Sequence, residues 1–233
     1  MGRADRIFRN YGTRRLVKSG GAAAPSSNIL ATDTHEDNDG NTSHSWGFSG
    51  LVSGTLIFIV TGHNGGNIGA FASVEADGSA MTEFRNAGIF TADDRIGLYA
   101  IEGHTGTTST ITFTTPSAGT KMFGAVIIIP ATYTIANMTN MTLTTGTSTT
   151  PSHVGNRNPD QVNIHFITSK NGGNGMTWDA ELTSPAGFNL NADIRCRSVA
   201  YEECTTTEVS STIGGTLDIS ADWGMAGLEC AAP

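Results

Sequence analysis

The amino-acid sequence predicts an all-β fold: a jelly-roll-like antiparallel β-sandwich built from two related repeats, with an extended N-terminal arm. Of the 233 residues, 29 are glycine and only 15% are charged, a composition that favours strands and tight turns over long surface helices. About a dozen short strand-like segments follow one another at the spacing typical of sandwiches and jelly rolls. An apolar segment ending in Asn-Gly-Gly-Asn occurs twice, at residues 57–67 and 164–174, which indicates two related halves.

The strands of the first repeat can be assigned in chain order. Residues 56–60 are apolar at every position, which predicts a central strand covered on both faces. Shorter strands are predicted over 70–74 and 81–85, with Ala76-Asp77-Gly78 as the turn between them. Three further strand-like segments complete the repeat, at residues 96–101, 110–114 and 125–129.

The second repeat has a similar order of segments. Strands are predicted at residues 162–166, 176–178, 194–201, 209–213 and 217–223. Between the repeats we expect one strand near 138–145 and a loop over 151–159, because Thr, Asn, Ser and Pro are frequent there. We expect at most one or two helical turns, near Ala92-Asp93-Asp94.

These elements divide the chain into two regions. Residues 1–27 form a basic extended arm and a flexible Gly/Ala/Ser spacer, and residues 28–233 form the β-sandwich, with repeats at about 50–131 and about 160–233. Each repeat alone contains few large apolar residues, so we expect the two to share one core. The three cysteines are an odd number in a chain without an export signal, which favours reduced thiols over disulfides.

The N-terminal arm differs sharply in charge from the rest of the chain. Six basic residues against one Asp give residues 1–18 a formal charge of +5, and the chain as a whole carries −8, so the remaining residues carry −13. Apolar side chains lie among these cations, which favours a protein partner over nucleic acid. A solvated terminus that binds nothing is the alternative. The predicted partner-binding residues of the arm are Arg3, Arg6, Ile7, Phe8, Arg9, Tyr11, Arg14, Arg15 and Lys18.

Membrane insertion and export are not expected from this sequence. Residues 1–9 lack the apolar core of a signal peptide, and the chain contains no run of 18 apolar residues.

One acidic segment has the spacing of a possible cation site. Asp33, His35, Asp37 and Asp39 alternate, so an extended backbone would place their side chains on one face. Oxygen and imidazole ligands on one face can hold a divalent cation, but a solvated polar turn is the more common role of such a segment. We therefore predict neither a metal site nor a cofactor.

Two other groups of residues suggest chemistry without fixing it. Glu202-Glu203 and Asp93-Asp94 are paired carboxylates of the kind that glycosidases use, but the sequence does not set the separation that catalysis requires. Trp46, Trp178 and Trp223 could form a sugar-stacking platform, although isolated tryptophans in strands more often lie in the core. We predict that the protein is not an enzyme.

The order of segments resembles that of small virion structural proteins of tailed bacteriophages and gene-transfer particles. The resemblance covers residues 50–233 and depends on the Asn-Gly-Gly turns, the Thr-rich strand 107–114 and the segment Val126-Ile127-Ile128-Ile129-Pro130-Ala131. It implies a capsid decoration or head–tail accessory protein, assembled in the host cytoplasm and displayed on the virion. The arm would bind a capsid, portal or tail subunit, and the body would form a homo-oligomer.

Two other functions stay open at this point. A carbohydrate-binding, lectin-like or receptor-binding module would show exposed tryptophan in a groove. A glycan-degrading enzyme would show two carboxylates facing one cleft.

Overall fold

The computed structural model of the chain describes residues 28–37, 40–63, 68–89, 94–117, 121–170, 175–184, 189–192 and 195–232. Over these ranges the all-β prediction is confirmed, and the sheets are antiparallel. These ranges contain one 3-10 turn, Ile135–Asn137. They contain no helix that is long and apolar enough to span a membrane. The predicted arm, with all of its partner-binding residues, and both Asn-Gly-Gly-Asn turns lie outside the described residues.

Among the described residues, the first half of the body has nine strands. They are β1 (Ala31–Asp37), β2 (Ser43–Ser49), β3 (Gly54–His63), β4 (Ala72–Ala76), β5 (Ser79–Ala80), β6 (Thr82–Ile89), β7 (Asp94–His104), β8 (Thr108–Thr114) and β9 (Lys121–Ile129). Five of these strands form the first central sheet, in the order β1-β9-β3-β7-β6. The other four form the first outer sheet, in the order β2-β8-β4-β5.

Nine further strands form the second half. They are β10 (Met138–Asn140), β11 (Thr144–Ser148), β12 (Ser152–Arg157), β13 (Val162–Lys170), β14 (Met176–Trp178), β15 (Asn189–Ala192), β16 (Arg195–Glu203), β17 (Glu208–Leu217) and β18 (Ala221–Cys230). The second central sheet has the order β10-β18-β13-β16-β15, with β11 also paired to β18. The second outer sheet has the order β12-β17-β14.

The two central sheets pack face to face and share one apolar core. Its cluster of buried residues takes Ile57 and Ile59 from β3 and Ile164 and Phe166 from β13, each at most 1% exposed. The opposite face of β3 contributes Leu56, Phe58 and Val60 to a separate cluster with the first outer sheet. Strand β3 is thus covered on both faces, as its unbroken apolar run predicts. A third, smaller cluster joins the second central sheet to the second outer sheet.

The two halves correspond in strand order. The first central sheet has the order β1-β9-β3-β7-β6, and the strands in the same positions of the second are β10-β18-β13-β16-β15. In the outer sheets, β2-β8-β4 corresponds in the same way to β12-β17-β14. The registers agree as well. Phe58 pairs with Tyr99 and Val126, and His165, which lies 107 residues later, pairs with Ala200 and Gly227, each of which lies 101 residues after its counterpart. Each half includes strands that precede its predicted repeat, namely β1 and β2 in the first half and β10 to β12 in the second.

Several predicted elements differ from the structure. The prediction of a polar turn that includes residues 33–37 is wrong, because these residues belong to β1, which pairs with β9 along the whole length of β1. Strand β2 was not predicted, although His44, Trp46 and Phe48 alternate with Ser and Gly. The single strand near 138–145 is divided into β10 and β11.

Three further expectations also need correction. The predicted loop over 151–159 contains strand β12. The predicted strand 217–223 is interrupted, since β17 ends at Leu217 and β18 begins at Ala221. Asp94 begins β7 rather than a helical turn.

Candidate functional site

A buried polar network fills one end of the second half. Strand β13 alternates, so that Val162, Ile164 and Phe166 face the shared core while Asn163 and His165 point toward the second outer sheet. Both of these polar side chains are fully buried. Buried polar groups of this kind must find hydrogen-bond partners within the protein.

The partner of His165 is a second histidine. His153, on β12, is 2% exposed, and its Nε2 lies 2.9 Å from Nδ1 of His165. On its other side, Nε2 of His165 lies 3.5 Å from Oε1 of Glu202. A carboxylate can only accept, so the neutral tautomer of His165 that suits both neighbours carries its proton on Nε2 and accepts at Nδ1 from His153.

Glu202 links the histidines to a second set of charges. Its Oε1 accepts from Nδ2 of Asn163 at 2.9 Å, and its Oε2 accepts from Nε of Arg157 at 2.9 Å. Arg157 also donates to Oε2 of Glu208 and to Oε2 of Glu181, at 2.8 Å each. One guanidinium therefore binds three carboxylates from three different segments of the second half.

The same carboxylates line an open pocket of about 300 Å³. Its wall is completed by the segment after β16, and its residues are Arg157, Glu181, Glu202, Glu203, Cys204, Thr205, Thr206 and Glu208. The histidine pair is buried behind Glu202 and does not line the pocket.

The environment fixes the charges of these groups. Burial opposes ionisation of Glu202, but the neighbouring His165, the hydrogen bond from Asn163 and the charge of Arg157 lower its pKa to about 2. Burial alone would lower the pKa of Arg157, but the hydrogen bond to Glu208 and the charges of Glu202 and Glu181 raise it. Glu202 and Arg157 therefore form a permanent ion pair at neutral pH.

Burial shifts both histidines toward the neutral form. Desolvation, with the neighbouring His165 as a second cause, lowers the pKa of His153 to about 3. Desolvation also lowers the pKa of the fully buried His165, against the opposing effect of Glu202. Both imidazoles are therefore neutral at pH 7.

Glu202 does not have the protonation state that a catalytic acid requires. A glycosidase needs one carboxyl group that holds a proton near neutral pH, and Glu202 is held ionised. The carboxylates of Glu181 and Glu208 face the same pocket, but both bind Arg157.

Asp33, His35 and Asp37 of the acidic segment point toward β2, and Asp39 lies outside the described residues. Oδ2 of Asp37 accepts from Nδ1 of His44 at 3.0 Å and from Nε1 of Trp46 at 3.1 Å. The ring of His35 stacks on Trp46 with centroids 4.9 Å apart. These residues join the two sheets of the first half, and no metal-binding group of three His, Cys, Asp or Glu side chains occurs among the described residues.

The tryptophans and cysteines lie largely in the interior. Trp46 and Trp223 are 2% and 6% exposed, and the half-buried Trp178 donates from Nε1 to Ser198. None of the three forms an exposed platform. Cys196, Cys204 and Cys230 are buried thiols rather than disulfides, as expected from their odd number.

Sequence reasoning identified Glu202 and Glu203 but missed His153 and Arg157. Both missed residues lie on β12, in the segment predicted to be a loop. The signal that could have found strand β12 and His153 is the offset of 107 residues: applied to β2, it places Trp46 on His153.

The segment that leads into β1 contacts the second half beside this pocket. The backbone N–H of Asn28 donates to Oε2 of Glu203 at 3.0 Å, three residues before β1 begins. The corresponding contact in the first half joins the N–H of Ile135 to Oε1 of Glu102 at 2.6 Å. Each half thus holds, through one glutamate, the segment that leads into the other half.

Comparisons of this chain with protein-family models, with curated proteins and with solved structures found no match.

Proposed function

We propose that this protein is a non-enzymatic structural component of a tailed-phage virion, anchored through its basic N-terminal arm to a capsid, portal or tail subunit. The observation that carries the proposal is the division of charge between residues 1–18, at +5, and the remaining chain, at −13. A basic segment joined to an acidic body can bind a partner that the body itself would repel.

The junction between arm and body supports this function. An anchor must transmit force to the rigid part of the protein, and the chain passes from Asn28 directly into β1. β1 pairs with β9 from Ala31 to Asp37, so the arm continues into a central sheet that is packed on both faces. The pocketed end of the second half, which binds Asn28, would then face the particle.

The interior supports a non-enzymatic role. Three of the carboxylates that line the pocket, Glu181, Glu202 and Glu208, are ion-paired with Arg157, and the histidines behind them are buried and neutral. Such a network gives a single well-defined packing arrangement, which a particle component requires.

The matching strand orders support a further part of the proposal, that the halves are jelly-roll-like repeats. The proposal also includes assembly in the host cytoplasm and display on the virion as a homo-oligomer. Oligomerisation would supply the avidity that one short arm lacks.

The test is incorporation into particles. Deletion of residues 1–24 should leave the melting temperature of the body nearly unchanged and abolish its recovery with purified particles. Deletion of residues 19–24 alone is the matched control, since it shortens the spacer but keeps every basic residue. A protein lacking residues 1–24 that still incorporates at the wild-type copy number would refute the proposed anchor.

The apolar residues of the arm provide a second measurement in the same assay. Replacing Phe8 and Tyr11 by Ala should weaken attachment more at high salt than at low salt, because salt screens the cations but not apolar burial. Binding that disappears at moderate salt and ignores both substitutions would instead indicate a polyanion such as DNA.

A further inference from the structure

We infer that the His153–His165 pair is an acid-responsive latch, which holds the second outer sheet to the second central sheet and releases it as the pH falls, while the first half stays closed. The inference concerns the body alone and does not depend on the proposed attachment to a particle.

The pair is positioned as a latch between two sheets. His153 lies on β12 of the outer sheet and His165 on β13 of the central sheet, and their 2.9 Å contact crosses the interior. The rings meet edge to face, with centroids 5.1 Å apart and an interplanar angle of 84°. Gly227 leaves space beside this contact: a Cβ at this position would lie 2.6 Å from Sδ of Met141 and 3.0 Å from Cε1 of His153.

The hydrogen bond between the two histidines fixes where each neutral ring carries its proton. Nε2–H of His153 donates to Nδ1 of His165, whose own proton faces Glu202. When both rings are protonated, two N–H groups face each other at hydrogen-bond distance and two buried cations repel. The pair must therefore separate or admit water.

The surrounding charges do not compensate two imidazolium ions. Glu202 of β16 is the nearest carboxylate, and its oxygens already bind Asn163 and Arg157. Glu229 of β18 favours a charged His165, whereas Arg157 of β12 disfavours it. Arg85 of β6 disfavours a charged His153, and the backbone of Thr142 favours it.

The sign of the pH dependence follows from these shifts. Both histidines have a lowered pKa in the folded protein and an ordinary value of 6.5 when exposed. The opened state therefore binds protons first, and the latch is fully stable above about pH 6.5 and weakens below it. Well below pH 6.5 each histidine can raise the equilibrium constant for opening by about tenfold per pH unit, so two give up to about 1,000-fold between pH 7.5 and 5.0.

The first half lacks this chemistry at the corresponding positions. Trp46 stands in place of His153, Phe58 in place of His165 and Ile101 in place of Glu202. Trp46 and Phe58 also meet edge to face, but neither ring titrates. The first half also contains the buried histidines His44, whose Nδ1 donates to Oδ2 of Asp37 at 3.0 Å, and His104, and neither lies in a histidine pair.

Hydrogen exchange detected by mass spectrometry tests the latch on the full chain. Protection, corrected for the intrinsic effect of pH on exchange, is measured at pH 7.5 and 5.0, above the range in which exposed carboxylates titrate. Peptides covering 152–157 and 208–217 should lose protection at pH 5.0, and peptides covering 54–63 and 108–114 should keep it. Equal loss in both halves, or no loss in either, would overturn the inference.

Two variants separate the latch from general acid sensitivity. His153→Gln keeps a hydrogen-bond donor but cannot titrate. The equilibrium constant for opening the second half should therefore rise about tenfold less per pH unit than in the wild type. His44→Gln removes a buried histidine of the first half and should leave the opening of the second half as in the wild type. Identical behaviour of His153→Gln and the wild type would count against the latch.

A direct measurement guards against a variant that fails to fold. The imidazole nitrogens of the labelled wild-type protein report protonation by NMR, and both rings of the pair should stay neutral for as long as the second half is closed. A closed second half that contains two charged rings at pH 5.0 would contradict the inference.

Discussion

The same interior position is filled by an aromatic pair in one half and by a histidine pair in the other. Trp46 and Phe58 meet edge to face at 6.2 Å in the first half, and His153 and His165 meet edge to face at 5.1 Å in the second. Strand order and register agree around both pairs. The arrangement of the sheets therefore tolerates opposite chemistry in the space that it encloses.

Neighbouring residues explain how each pair fits. Phe58 lies between Tyr99 and Val126 on the adjacent strands, whereas His165 lies between Ala200 and Gly227. Small neighbours leave space for a second ring from the outer sheet and for the groups that satisfy its nitrogens. The first interior is stabilised by apolar burial. The second has less apolar burial at this position and is stabilised by hydrogen bonds, which require every partner to be present.

The face that the two halves share shows no such difference. Ile57 and Ile59 correspond to Ile164 and Phe166, and all four are buried in one apolar cluster. Each central sheet covers the other, so this face has the same neighbour in both halves and the same requirement for apolar side chains.

The largest effect is expected from removing the cation of the second interior. Arg157→Met would leave Glu202, whose side chain is 5% exposed, without its guanidinium partner. Breaking a buried pair in this way costs about 3–5 kcal/mol, which denaturant unfolding would measure. The added change Glu202→Gln should recover part of the loss, because it removes the uncompensated charge. A single variant as stable as the wild type would show that the network contributes little.

A smaller and symmetric effect is expected at the two glutamates that hold the connecting segments. Glu102→Ala and Glu203→Ala each remove one hydrogen bond from a backbone N–H to a carboxylate. Both sites are exposed, so each variant should lose about 1 kcal/mol of unfolding free energy. The comparison of the halves predicts similar losses. A large loss at one site and none at the other would show that the two contacts are not equivalent.

The sequence predicted the fold better than it predicted the polar network, for a physical reason. The apolar run at 56–60 indicates burial on both faces, and this signal comes from the residues of the strand itself. The network instead depends on β12, where Ser152-His153-Val154-Gly155 lacks large apolar residues and lies between two prolines. Glu202 stands out in the sequence as one of a pair, but its partners come from strands that are distant in sequence.

Strand β2 shows the opposite situation, since its signal was present. His44, Trp46 and Phe48 alternate with small residues, which is the pattern of a half-buried strand. The same pattern, moved by 107 residues, falls on β12. Internal repeats can therefore locate a strand whose own residues do not reveal it.

Native-state hydrogen exchange at pH 7.5 tests the central claim, that two chemically different interiors belong to one body with one shared core. The slowest amides of β3 and of β13 should exchange through the same opening reaction, with equal free energies, because unfolding of either central sheet uncovers the other. The amides of β2 and β12 in the outer sheets should exchange faster than either. If β13 exchanged through a much less costly opening while β3 stayed protected, the halves would be independent domains, and the account would be wrong.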